Sequence, residues 1–219
     1  MRQLLLVAFT LVAVSRGEDL RYSINWPSGL SLGEGQLTGG KTDSGALESA
    51  LKLEAAVPGF PFADQYRSLA SAAYCSTQFE RDLTRGKRKS REKTAFDADK
   101  GTAARSTTGG GSSQLTTGAC PRDALAFLYF LRRELGQGRV PPAQTVYAGA
   151  AYQVRVEFKG TYPLKLGEAR EEADLLLISV KGPKSDVSFE LWMGRDPART
   201  PLLVRAPLPV GALSMELVR

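Results

Sequence analysis

Residues 124–131 read ALAFLYFL, an unbroken apolar run that helical geometry spreads over every face of two turns. A helix without a polar face has to be enclosed, because no side of it can be left in water cheaply. Its flanks carry end signals. Pro121 suits a first turn, and Asp123 complements the positive end of the helix dipole. Arg132 and Arg133 complement the negative end, and Gly136 suits a left-handed stop. The pattern predicts one helix over 121–135, which the rest of the chain must surround.

That rest is written in period two. Leu20, Tyr22, Ile24 and Trp26 alternate with Arg21, Ser23 and Asn25, and Tyr152, Val154, Val156 and Phe158 alternate with polar partners in the same way. Such alternation marks half-buried strands. It returns over 47–57, 187–193, 202–208 and 213–217, punctuated by Gly and Pro. Residues 175–178 are continuously apolar, as in a strand covered on both faces. The expected fold is mainly β, a strongly curved antiparallel sheet holding the helix in its hollow. With 219 residues and 42% hydrophobic content, one domain over 18–219 has enough apolar material for a core. Residues 107–118, rich in Gly, Ser and Thr, read as a flexible loop, and 58–70 as a short helix or exposed apolar turn.

The first seventeen residues read as an address. Arg2 precedes an apolar run over 4–14, and the small residues Ser15 and Gly17 follow it, as in a cleaved secretory signal. The run is about half of the ~20 residues that a bilayer-spanning helix needs, so the mature chain is expected to be periplasmic or secreted without a stable anchor. No cysteine follows the run for acylation. In an oxidising compartment two cysteines in one domain pair, which predicts a disulfide between Cys75 and Cys120.

Histidine is absent, which removes Ser-His-Asp and Cys-His nucleophile pairs and the usual His-containing zinc and haem sites. No catalytic residue, cofactor or metal is expected. Part of the +6 charge belongs to Arg2 and Arg16 of the leader, which weakens a nucleic-acid role. Residues 85–93, RGKRKSREK, could attract phosphates, anionic headgroups or acidic glycans. They also fit a hairpin whose outward edge is charged against strand addition. Asp97, Asp99 and Gly101 read as a turn rather than a calcium loop, and Gly33 and Gly35 as a bend or bulge rather than a dinucleotide site. Glu171, Glu172 and Asp174 are the carboxylates a hydrolase would use, and only Glu172 and Asp174 can share a face of a strand.

Four ordered segments then resemble one family: YSINWPSGLSLGEGQL from Tyr22 to Leu37, the pair Phe96 and Asp97, CPRDALAFLYFLR from Cys120 to Arg133, and the closing stretch from Leu191 to Leu217. Trp192, Asp196, Arg199, Pro201 and Gly211 match its closing pattern, while Pro27 departs from its first turn. The resemblance is to the bacterial envelope family known as domain of unknown function 3108. It implies a periplasmic half-open barrel wrapped on a helix, similar in outline to lipoprotein carriers, and it carries no reaction. The favoured expectation is a hydrophobic ligand, a lipid or acyl chain, or an envelope protein segment held in the hollow. Its contacts would be Phe127, Phe130, Leu131, Trp26 and Trp192. The alternative is an assembly protein acting through a sheet edge or the basic hairpin.

Overall fold

The computed structural model describes residues 17–57, 60–183, 185–208 and 211–219. The leader expected over 1–17 lies outside the described residues apart from Gly17. The alternating segments form a meander: β1 Glu18–Asn25, β2 Ser31–Lys41, β3 Leu47–Val57, β4 Phe60–Ala70, β5 Ser76–Arg85, β6 Arg88–Asp97, β7 Thr102–Thr107 and β8 Ser112–Thr116. After β9 Arg122–Asp123 comes α1 Ala124–Gly136. A second meander follows, with β10 Gln144–Tyr147, β11 Ala151–Leu166, β12 Ala169–Gly182, β13 Ser185–Gly194, β14 Pro201–Leu208 and β15 Gly211–Leu217. β15 pairs with β1, setting Tyr22 opposite Leu217 and Ile24 opposite Met215. That one ladder joins both meanders into a 15-stranded sheet running from β8 through β1 and β15 to β9.

Adjacent strands are rotated on one another, so a sheet of this many strands curls. Here the curl brings its ends together without a ladder from β8 to β9 or β10. Across the seam Arg81 Nη1 donates to the Ala148 carbonyl at 2.8 Å, and the Phe96 and Tyr147 rings meet edge to face at 5.7 Å. The molecule is therefore a curled, unclosed sheet around a single helix, the class that the alternation predicts.

Register assigns the faces. Tyr22, Leu53, Asp64 and Leu83 stand level on the inner face of β1 to β5 through Gly35, and Ile24, Ala55, Phe62 and Arg85 stand level one step along through Gly33. Met215, Val204, Leu191 and Leu176 continue that face through β15, β14, β13 and β12. Antiparallel order also sorts the turns to two ends. One end holds the turns at 42–46, 71–75, 98–101 and 195–200; the other holds those at 26–30, 86–87 and 108–111.

α1 lies against the first end. Phe127, Phe130, Leu131 and Leu135 pack on Val154, Val156, Leu176, Ile178, Leu191 and Met193. Leu125 packs on Tyr22, Leu37 and Phe79, and Ala126 on Leu47 and Ala70. The helix is thus enclosed by both meanders, and each large side chain so buried contributes roughly 1.5–3 kcal/mol. Cys75 and Cys120 are bonded, with Cα atoms 4.7 Å apart, tying the turn before β5 to the approach of the helix.

Four sequence expectations are corrected. The helix runs over Ala124–Gly136, not 121–135, because Arg122 and Asp123 pair with β10 and Asp123 caps the helix from outside it. The loop expected over 107–118 contains β8, since Thr107 and Gly111 close a tight turn and Ser and Thr side chains suit an edge ladder. The described part of 58–70 is a strand, β4, whose inward Asp64 and Ser68 disguise the apolar alternation. Finally, the basic hairpin is not an edge, because β7 and β8 lie beyond β6.

Candidate functional site

The helix end of the barrel is shut by polar pairs. Asp123 is fully buried, and its carboxylate accepts from Ser68 Oγ and Ser76 Oγ at 2.6 Å each and from the Leu125 and Ala126 amides at 2.9 and 3.1 Å. Burial pushes this carboxyl above its ordinary value, against the pull of the four hydrogen bonds. Arg132, 7% exposed, forks onto Glu18 with Nη1 to Oε1 at 2.5 Å and Nη2 to Oε2 at 2.8 Å, while its Nε donates to the Ala198 carbonyl at 2.9 Å. The Tyr129 hydroxyl donates to the same Glu18, and burial beside that carboxylate raises its pKa. Gly39 makes room for this tyrosine, since a Cβ there would fall on the phenol. A cleft of about 460 Å³ opens beside this cluster, but the charges of Glu18 and Arg132 in its wall satisfy one another.

Among the described residues no helix lies at the opposite end. There the inner-face residues Leu53, Phe62, Val180, Phe189, Val204, Leu213 and Met215 are only half-buried, whereas Asp64, Ile178 and Leu191, two residues nearer the helix on β4, β12 and β13, are buried. Leu128 is also half-buried and touches both meanders' clusters, so this helical face forms the floor. Met215 links the floor to the Ile24, Leu32 and Ala55 cluster at the rim, against which Trp26 packs. Half-buried apolar side chains of both meanders thus line the inner face between Leu128 and the end away from the helix. One wall is polar: Arg85 Nη2 contacts Asp64 Oδ2 at 2.9 Å, and Glu92 holds Arg81 and Arg105, each at 2.6 Å. Burial alone would raise the Glu92 carboxyl, but the bonds from Arg105 and Arg81 hold it below its ordinary value.

The structure separates the expected ligand contacts. Phe127, Phe130 and Leu131 are 7%, 9% and 1% exposed and serve as core between helix and second meander. Trp26 stands at the rim of the hollow. Trp192 lies opposite Leu175 and Leu203, one residue out of step with the inner Leu191, and so faces outward, with the Tyr162 ring edge on at 6.2 Å. Beyond the bulge at Gly160 the β11–β12 hairpin turns, and Leu164 and Leu166 join Leu202 and Leu203 in a cluster that Trp192 flanks. Sequence reading missed Leu128, Met215, Leu53 and Phe189. Their alternation was visible, but not which end the helix leaves open.

The carboxylates considered for acid and base work do not converge. Asp174 accepts from Thr161 Oγ1 and from Arg199 Nη1, both at 2.7 Å. Glu171 pairs with Arg219, and Glu172 is exposed opposite Pro163. Among the described residues no three Cys, Asp or Glu side chains are grouped as a metal site requires.

These features define an unclosed β-barrel with a helix plugging one end. A crystal structure of a β-barrel-like protein of domain of unknown function DUF1849 from Brucella abortus has this fold, with a TM-score of 0.63 and 10% sequence identity over 93% of this chain and 96% of that one. The family model described as protein of unknown function DUF3108 matches residues 21–218, and the chain belongs to that family. No curated protein matches the sequence.

Proposed function

We propose that this protein is a non-catalytic, exported envelope protein that takes the acyl portion of a lipid into the helix-free hollow. The observation that carries the reading is the set of half-buried apolar side chains that pack with Leu128 against the core clusters of both meanders. A packed barrel would cover Met215, Phe189 and Val204 as it covers Leu176 and Met193. The Cys75–Cys120 bond supports export, since disulfides persist in oxidising compartments. Ligand pockets of this kind are apolar with a few placed polar groups, which matches the Asp64 and Glu92 wall.

Native mass spectrometry of protein purified without detergent, followed by titration with a fluorescent fatty acid, tests it. The expected result is one ligand per chain, weakened at least about tenfold by Leu128→Lys or Met215→Lys. No bound amphiphile and no saturable titration would remove the reading. A second reading rests on β8, which has a ladder partner on one side only and can accept an extended envelope protein segment. Proline at Gln114 would then abolish capture of the segment while leaving fatty-acid titration unchanged.

A further inference from the structure

The basic run 85–93 is not uniformly free. Along the body of the β5–β6 hairpin its cations are matched in register, Arg91 to Asp82 at 2.5 Å and Lys93 to Glu80 at 3.2 Å. At the tip, Lys87, Arg88 and Lys89 are exposed and form no ion pair among the described residues. That tip belongs to the mouth of the hollow, because Arg85 stands opposite Phe62, Phe62 opposite Ala55, and Ala55 opposite Gly33 at the rim. Two large apolar side chains are exposed at the same end, Leu30 at 60% in the β1–β2 turn and Val187 at 52% near the start of β13. Lys181 adds a cation there, facing Asp186 across the ladder.

The helix end has mixed charge: its turns carry Asp43, Asp99 and Asp196 together with Lys100, Arg195 and Arg199, with Lys100 on Asp97, Arg199 on Asp174 and Asp196 held by the amides of Ala198 and Thr200. Acids and bases thus accompany one another at the plugged end, while the open end carries both unpaired tip cations and exposed apolar residues.

We propose that the open end docks on a lipid bilayer bearing anionic headgroups, with Lys87, Arg88 and Lys89 against the phosphates and Leu30 and Val187 entering the interface. Charge complementarity selects this occupant. Unpaired cations at the same end as exposed apolar side chains fit a surface that offers negative charge and hydrocarbon together. A soluble polyanion would use the cations and leave Leu30 and Val187 in water. Docking in this orientation sets the mouth against the bilayer, so that an acyl chain can enter without crossing water. The purpose rests on the hollow reading, but the surface and its test do not.

Sedimentation of the ligand-free protein with vesicles tests the surface, using phosphatidylcholine alone and an equal mixture of phosphatidylcholine with phosphatidylglycerol. Binding is expected to the mixture and not to the neutral vesicles, and to weaken as salt shortens the Debye length. Each tip cation is expected to contribute about fivefold, so the triple variant Lys87→Glu, Arg88→Glu, Lys89→Glu loses at least about 100-fold. These side chains are exposed, so the variant is expected to fold, which its thermal transition checks. Absence of binding to the mixture, equal binding to both vesicles, or retention by the triple variant would overturn the proposal. So would mixed-vesicle binding unchanged by Leu30→Asp with Val187→Asp, which would identify a charge-only polyanion site. Fatty-acid titration in solution reads the hollow separately, so either idea can fail without the other.

Discussion

At Asp123 two serine hydroxyls from neighbouring strands and two helix amides converge on one buried carboxylate. The residue both caps α1 and fastens it to β4 and β5, so Asp123→Ala removes the cap and strands the donors around it. The expected cost is about 3 kcal/mol, read from the midpoint of urea unfolding. Glu92 plays a comparable part near the seam, where Arg81 bonds both its carboxylate and the Ala148 carbonyl. Because the folded pKa of Glu92 lies below its unfolded value of about 4.3, the stability it contributes is present above that pH. It is lost as pH falls through the depressed folded value. The stability difference between wild type and Glu92→Gln is therefore expected to be about 2 kcal/mol at neutral pH and to shrink below about pH 4, in unfolding curves taken at several pH values. Neither role was legible in the sequence. An aspartate before a helix announces a cap, but its serine partners lie 47 and 55 residues away and meet it only through the curl of the sheet.

At the scale of elements, the helix was the clearest reading because no other segment of residues 18–219 is apolar on every side over two helical turns. The same property hid its orientation: a run without a polar face gives no sign that Leu128 looks into the open hollow while Leu131 is sealed. Strands with apolar inner residues, such as β1 and β11, were visible from their period. β4 was not, since it carries Asp64, Ser68 and Ala70 on its inner side. Period two also cannot say which alternate is inside, and this is why Trp192 was expected at the site and stands outside it. The disulfide joins two elements that share no strand ladder. Closing a chain segment 45 residues long is worth about 4 kcal/mol in the chain-entropy model. Replacing both Cys75 and Cys120 by Ser is expected to lower thermal stability by that order while leaving the sheet's far-ultraviolet dichroism unchanged at low temperature. Loss of β signal at low temperature would mean that the bond is needed for folding itself.

For the whole molecule, one helix and one curled sheet produce two unlike ends. The plug, its buried Asp123 and the Glu18–Arg132 fork close one; half-buried apolar walls and a polar flank leave the other open. Antiparallel order alone decides which turns share an end, so this asymmetry appears only once the register is known. The two tryptophans report on the two regions separately, Trp26 at the rim of the hollow and Trp192 on the outer face of β13. A fatty acid carrying a nitroxide on its chain quenches indole fluorescence at close range, and single-tryptophan variants, Trp192→Phe and Trp26→Phe, isolate each reporter. Entry of the acyl chain at the end away from the helix predicts saturable, one-to-one quenching of Trp26 and none of Trp192. Equal quenching of both, or no saturable quenching of Trp26, would contradict it.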